Sequence, residues 1–282
     1  MIRIITDSTS SLTLAEYQKY DLGMIPLLIN QGEIAKRELH EISYPEFYQK
    51  QRAGVKFTTT QAGPQVFTEA FSPIIAAGDE IICIILSSKI SGTLNSAILA
   101  QESLNTDKIS IIESRQSGAG QAYLALQAKD MAAAGMQRNE IVKKLEDISS
   151  RSRTYVVVES LKYLYEGGRL SGAQALVGSI IQLKPLIWFD REGAFTALEK
   201  IRTLKAAKAR ILSLIEEQAK LGLEKLAVQY GDNYDEAVEL SEIIKTRFGI
   251  PAPPVQLSPV VAAHTGPDVL GVLVITKESR MS

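Results

Sequence analysis

Three clusters of hydroxyl and acidic side chains sit where apolar runs end or helix patterns begin. They are Thr6-Asp-Ser-Thr-Ser-Ser11, Thr58-Thr-Thr-Gln61 and Ser87-Ser-Lys-Ile-Ser-Gly-Thr93. A carboxylate or hydroxyl at such a junction can cap a helix or cradle an anion. Capping is the plainer reading of the first, and an N-terminal cap for the helix led by Pro64 is the plainer reading of the second. In the third, Gly92 lets backbone approach a ligand closely, while Ser91 and the helix-start amides offer neutral donors to a carboxylate or phosphate. That loop lacks the Gly-x-x-x-x-Gly-Lys spacing of a nucleotide site and the Gly-x-Ser-x-Gly of a nucleophile elbow, so neither nucleotide binding nor hydrolysis follows from it.

The chain has two histidines. His40 lies in the charged stretch Lys36-Arg-Glu-Leu-His-Glu41, which reads as a solvated loop. His264 lies in Val260-Val-Ala-Ala-His-Thr-Gly-Pro267, which reads as an apolar strand running into a turn. A Ser91–His264 nucleophile–base pair stays open, although no orienting acid can be picked out for it. With one cysteine, Cys83 in an apolar run, there is no disulfide or thiolate metal cage, and a transition-metal site is not expected. Two arginines complete the set. Arg169 ends Glu166-Gly-Gly-Arg169, a tight turn presenting a cation or a helix stop followed by an exposed charge; Arg202 stands between a strand and a long helix.

The elements that must position these residues follow two rhythms. Strand patterns at Ile2–Thr6, Met24–Ile29, Glu80–Leu86 and Lys108–Glu113 are almost continuously apolar, as in a parallel sheet buried on both faces. Helix patterns at Thr13–Tyr20, Ser43–Arg52, Pro64–Ala77, Gly92–Leu104 and Gln116–Ala134 alternate with them, predicting an α/β/α layering with ligand loops at the strand carboxyl ends. The second half predicts strands Thr154–Val158, Lys184–Phe189, Phe195–Lys200 and Lys225–Tyr230, with a hairpin turn at Asp190–Gly193 and one or two further strands within Val255–Ile275. Its helices are two short pieces, the second opening at Ser171, then Thr203–Leu221 and Asp235–Phe248. The fold class predicted is α/β in two domains: 1–152 with a parallel sheet, and a smaller 153–282 with a mixed sheet, joined near Ser149–Arg153.

The 282 residues carry 31 Lys+Arg against 32 Asp+Glu, a net charge of -1, with 45% hydrophobic and 22% charged residues. This is a globular composition without a polybasic face, so nucleic acid and an anionic membrane surface are not expected as partners. No run approaches ~18 apolar residues, and the amino terminus has no signal-peptide layout; stable membrane insertion is not expected and a cytoplasmic location is.

Five ordered motifs spanning nearly the whole chain resemble the DegV family of bacterial fatty-acid-binding proteins. They are Thr6-Asp-Ser-Thr-Ser10, Thr59-Thr-Gln61, Ser87-Ser-Lys-Ile-Ser-Gly-Thr93 with Asn95-Ser-Ala97, Leu164-Tyr-Glu-Gly-Gly-Arg169, and Ala263-His-Thr-Gly-Pro267. The resemblance implies a long-chain fatty acid in an apolar tunnel, bound by a carrier without a catalytic residue, metal or cofactor. It assigns the carboxylate contacts to Thr59, Ser91 and His264, with Thr60 and Gly92 as neighbours in the same loops and Arg202 beside them. Arg169 is implied as a partner contact, the partner being a fatty acid kinase that holds the ATP and converts the presented acid to an acyl phosphate. The chain departs from the family in Ala62-Gly63 where Pro-Ser is common, in Leu39-His40-Glu41 near the place of an Asp-Gly pair, and in Asp268 where glycine is usual. About 15 methylenes at ~0.8 kcal/mol each offer on the order of 10 kcal/mol gross on burial, so an apolar tunnel with a few polar groups at one end suffices for binding. The rival readings are a Ser–His hydrolase or acyl-transfer enzyme, and a lipid-responsive regulatory protein.

Overall fold

The computed structural model describes residues 1–169 and 184–278. The first apolar run forms β1 (Ile2–Asp7), followed by a short 3-10 turn (Ser8–Ser10) and α1 (Leu14–Lys19), whose first turn is closed by a Thr13–Glu16 capping box. β2 (Gly23–Ile25) runs parallel to β1, but β3 (Leu28–Gln31) leaves for a separate antiparallel sheet with β4 (Ile34–Arg37) and β5 (Thr58–Thr60). The run Met24–Ile29, expected as one strand, therefore divides at Pro26, which has no N–H to offer a ladder. Between β4 and β5 lies α2 (Tyr44–Arg52), capped by the Ser43 hydroxyl.

The remainder of the first half is α3 (Pro64–Ala76), β6 (Glu80–Ile85), α4 (Thr93–Leu104), β7 (Ile109–Glu113), α5 (Ala119–Ala133) and α6 (Arg138–Arg151). The parallel sheet has the order β2-β1-β6-β7. Strand alternation divides β6 between two layers. Ile81, Cys83 and Ile85 pack against Phe67, Phe71, Ala97 and Ala100 of α3 and α4, so Cys83 is the small core residue expected. Ile82 and Ile84 pack against α5 and α6 on the other face. The sequence pattern did not mark α6, although Ile141, Leu145 and Ile148 have helical spacing and are buried.

Helix α6 runs directly into β8 (Ser152–Val157), followed by α7 (Lys162–Glu166), β9 (Lys184–Phe189), β10 (Phe195–Ile201) and α8 (Leu204–Ala219). Then come β11 (Leu223–Tyr230), α9 (Tyr234–Phe248), β12 (Pro254–Gln256), α10 (Pro259–Thr265) and β13 (Leu270–Thr276). These strands form one mixed sheet, β10-β9-β8-β13-β11-β12, in which β11 and β12 pair in parallel and the other neighbours antiparallel. One face is covered by α8 and α9. On the other, Ala227, Leu273 and Ile275 join the same apolar cluster as α5, α6 and the parallel sheet. The layers thus run helix, parallel sheet, helix, mixed sheet, helix, and one core crosses the α6–β8 junction where the sequence reading placed its boundary. The helix expected to open at Ser171 lies outside the described residues.

Two expectations change with the tertiary structure. Thr58–Thr60 is strand β5 rather than a cap, and Gly63 precedes α3 with no side-chain cap bond. His264 stands on helix α10 rather than on a strand. Pro259 has its φ preset for the first helical position, and the backbone of Gly266, at φ 84°, ends the helix after seven residues, a length too short to display a helical period. Among the described residues no helix is long and apolar enough to cross a membrane.

Candidate functional site

The short sheet β4-β3-β5 and helix α10 meet over the carboxyl ends of the parallel strands. Alternation along β5 turns Thr59 to one side and Thr58 and Thr60 to the other, where Asn30 Nδ2 donates to Thr60 Oγ1 at 2.9 Å. Thr59 Oγ1 meets His264 Nε2 at 2.7 Å, joining residues 205 positions apart. The imidazole packs against the turn after α7: a Cβ on Gly167 would fall 2.1 Å from His264 Nδ1. The glycine of the Gly-Gly-Arg motif therefore makes room for the histidine of the last motif. In the same way, a Cβ on Gly92 would fall 2.3 Å from Gln61 Oε1, while Gln61 Nε2 donates to Ser96 Oγ at 3.1 Å. Four of the five sequence motifs thus interlock here by close packing of backbone against side chain.

The first motif is structural in the main. Asp7 is fully buried; its carboxylate accepts from Thr9 N at 2.9 Å, Leu86 N at 2.9 Å and Gln121 Nε2 at 2.8 Å. Burial raises its pKa, and these hydrogen bonds oppose the rise. The bond from Thr9 N is the capping role expected, here over the 3-10 turn, while the other two tie β1 to the end of β6 and to α5; Thr9 alone of this motif reaches the cavity below.

Three adjoining cavities run through the site. The central one is lined by Thr59, Ser91, Arg169, His264 and apolar groups including Ile90 and Phe195. Thr59, Arg169 and His264 also border an outer and roomier cavity, whose wall carries Lys56, Lys162 and Tyr163. Inward, Ser117, Phe195, Val261 and Thr265 are shared with a third, narrow cavity between α10 and the mixed sheet, lined mainly by Val156, Phe189, Leu257 and Val269. The sequence gives way from charged, through hydroxyl-bearing, to predominantly apolar walls.

Burial and the Arg169 cation together push His264 down to about 4, burial being the larger cause, so the imidazole is neutral at physiological pH. Arg169 is the cation of the central cavity among the described residues. Its Nε donates to Ile90 O at 3.1 Å and its Nη1 to Gly167 O at 2.6 Å, leaving three of the five guanidinium donors without a described protein partner. Arg202 is exposed at the start of α8 and borders none of these three cavities. Ser91 lies on the central cavity, with its Oγ 2.8 Å from Thr93 Oγ1. Its hydroxyl is thus engaged with Thr93, His264 Nε2 is engaged with Thr59, and His264 Nδ1 has no acceptor among the described residues. The nucleophile–base–acid chain required by the hydrolase reading is not assembled in this geometry.

One residue of the support was missed. Glu38, in the stretch read as a solvated loop, is fully buried, and its Oε1 accepts from Val260 N at 2.6 Å in the first turn of α10. Burial pushes its pKa up to about 7, opposed by the Val260 N–H and the neighbouring Ser8 and Ser258 hydroxyls. A charged stretch carries no sequence signal that one of its carboxylates will turn inward. Among the described residues no cluster of His, Cys, Asp and Glu is arranged to hold a metal ion.

Fold and cavities define an α/β protein with two stacked sheets and a site that is polar at one end and apolar at the other. A model of the DegV family, described as uncharacterised proteins, matches residues 1–277. The chain is 34% identical to a DegV domain-containing protein of Caldanaerobacter subterraneus, over 96% of this chain and 97% of that one, and 32% identical to protein DegV of Bacillus subtilis, over 96% and 98%. This chain belongs to the DegV family. The crystal structure of DegV, a fatty acid binding protein from Bacillus subtilis, superposes with a TM-score of 0.89 at 31% identity, covering 98% of this chain and 99% of that one. A stearic acid-binding protein from Eubacterium ventriosum gives a TM-score of 0.89 at 25% identity, with the same coverage.

Proposed function

We propose that this protein is a cytoplasmic carrier that binds a long-chain fatty acid and presents its carboxylate to a fatty acid kinase. The observation that carries this reading is the line of adjoining cavities, which begins at Thr59, Ser91, His264 and Arg169 and ends between apolar side chains of α10 and the mixed sheet. The carboxylate lies against Arg169 and accepts from the Thr59 and Ser91 hydroxyls. Neutral His264 donates from Nε2 to Thr59 Oγ1, which leaves the threonine proton free for the ligand. The alkyl chain runs inward past Phe195 and Val261. Fatty acid binding by the related proteins of Bacillus subtilis and Eubacterium ventriosum supports the ligand class. The outer cavity, with Lys56 and Lys162 beside Thr59 and Arg169, supports presentation, because it leaves the polar end open to a partner and offers cations to an incoming phosphoryl group.

Native mass spectrometry of the purified protein is expected to show one fatty acid per chain, released on denaturation. Addition of a fatty acid kinase and ATP is expected to convert that acid to its acyl phosphate only when both proteins are present. A ligand-free protein that also takes up no added fatty acid would overturn the carrier reading. Thr59→Val, which keeps the shape of the side chain and removes its hydroxyl, is expected to weaken binding by roughly 10-fold in a displacement titration, the scale of one hydrogen bond to a charged group. Unchanged affinity would remove Thr59 from the head-group site.

A further inference from the structure

The inner end of the cavity line is not uniformly apolar. Thr154 on β8 shares its sheet face with Val156, borders the third cavity and is 1% exposed, yet its Oγ1 has no hydrogen-bond partner among the described residues. Gln229 borders the same cavity: its Oε1 accepts from Ala119 N at 2.8 Å, and its Nε2 donates to no described residue. Ser117 adds a third hydroxyl on the wall shared with the central cavity. A saturated alkyl chain entering this end leaves the buried Thr154 hydroxyl unpaired, which is unfavourable in a dry cavity.

We infer that the preferred ligand is a long-chain fatty acid carrying a hydroxyl group on its alkyl chain, remote from the carboxylate. The inference rests on the fatty-acid reading above and adds a second polar contact to it. The ligand oxygen accepts from Gln229 Nε2, and its O–H donates to Thr154 Oγ1. One group thereby pairs the orphaned Thr154 hydroxyl and takes up a Gln229 amide hydrogen, while the methylenes on either side of it meet Val156, Phe189, Leu257 and Val269. Only an isomer whose hydroxyl reaches this depth gains the contact, so the position of the hydroxyl along the chain is part of the recognition.

Delipidated protein is titrated with stearic acid and with a series of monohydroxystearic acids that differ in hydroxyl position. At least one isomer is expected to bind about 10-fold more tightly than stearic acid, the scale of satisfying a buried hydrogen-bonding pair. Thr154→Val, of the same shape, is expected to abolish that preference while leaving stearic acid bound at least as tightly, and Thr154→Ser is expected to retain it. Equal or weaker binding of every hydroxylated isomer by the wild-type protein overturns the inference and leaves the fatty-acid reading intact; so does a preference that survives in Thr154→Val. Failure of stearic acid and all isomers to bind overturns both. The wild-type series decides even if the valine variant does not fold.

Discussion

Arg169→Met is expected to weaken binding of a long-chain fatty acid by about 100-fold, the largest loss from a single substitution at the polar end. The methionine keeps much of the unbranched stem and removes the guanidinium. The carboxylate then has hydroxyls but no cation in a half-buried setting, and the lost charge-assisted contact is on the order of 3 kcal/mol. Arg169→Lys is expected to recover only part of this, because the guanidinium is held in place by the carbonyls of Ile90 and Gly167 and an ammonium cannot keep that fork while turning a donor to the ligand. The same substitution has a second readout. His264 is held down to about 4 by burial first and by Arg169 second, so removing the cation is expected to raise the His264 pKa while burial keeps it below 6.5. Isothermal titration with the fatty acid measures the first effect, and a pH series of histidine NMR shifts the second. Unaltered affinity together with an unmoved His264 would place the cation elsewhere.

Glu38→Gln is expected to stabilise the protein at alkaline pH and to be nearly neutral in acid. In the folded state the Glu38 pKa is raised to about 7 from an ordinary 4.5, with burial as the main cause. The native state therefore holds this proton more tightly than the unfolded chain. Stability from the protonated carboxyl is fully present below pH 4.5 and is lost as pH rises through 7. A shift of that size corresponds to about 3 kcal/mol between the two limits. Glutamine mimics the protonated acid, and its Oε1 can still accept from Val260 N in the first turn of α10. The stability difference between variant and wild type is therefore expected to grow by about 3 kcal/mol between pH 4 and pH 9 in urea titrations. The groups facing Glu38 are Asp7 at the end of β1, Tyr17 of α1, and Tyr44 and Tyr48 of α2. The negative charge of Asp7 adds a smaller contribution to the rise. A difference that stays flat across this range would show that folding leaves the Glu38 pKa at its ordinary value.

The elements easiest to read were those whose environment is uniform. Glu80–Leu86 announces a strand buried on both faces because each residue along β6 faces a helix layer on one side or the other. The long helix of the second half shows its period because one stripe, Ala207, Ile211, Leu214 and Ile215, packs on the mixed sheet for just over two turns. Short or mixed environments were misread. Three successive threonines look like a cap until β3 supplies the partner that makes them β5, and the seven residues of α10 hold too few apolar positions to distinguish helix from strand.

The site divided along the same line. By their types, spacing and order, the motifs indicated the family, its α/β fold, and Thr59, Ser91 and His264 as candidates; the glycines at 92 and 167 belong to those motifs because Gln61 and His264 pack where their Cβ atoms would lie. The Thr59–His264 contact, the inward turn of Arg169 and the exposure of Arg202, the burial of Glu38, and the orphaned hydroxyl of Thr154 were decided only by the tertiary structure. Each of these depends on what a distant segment places against the side chain, and burial and pairing are properties of the space between segments rather than of either segment alone.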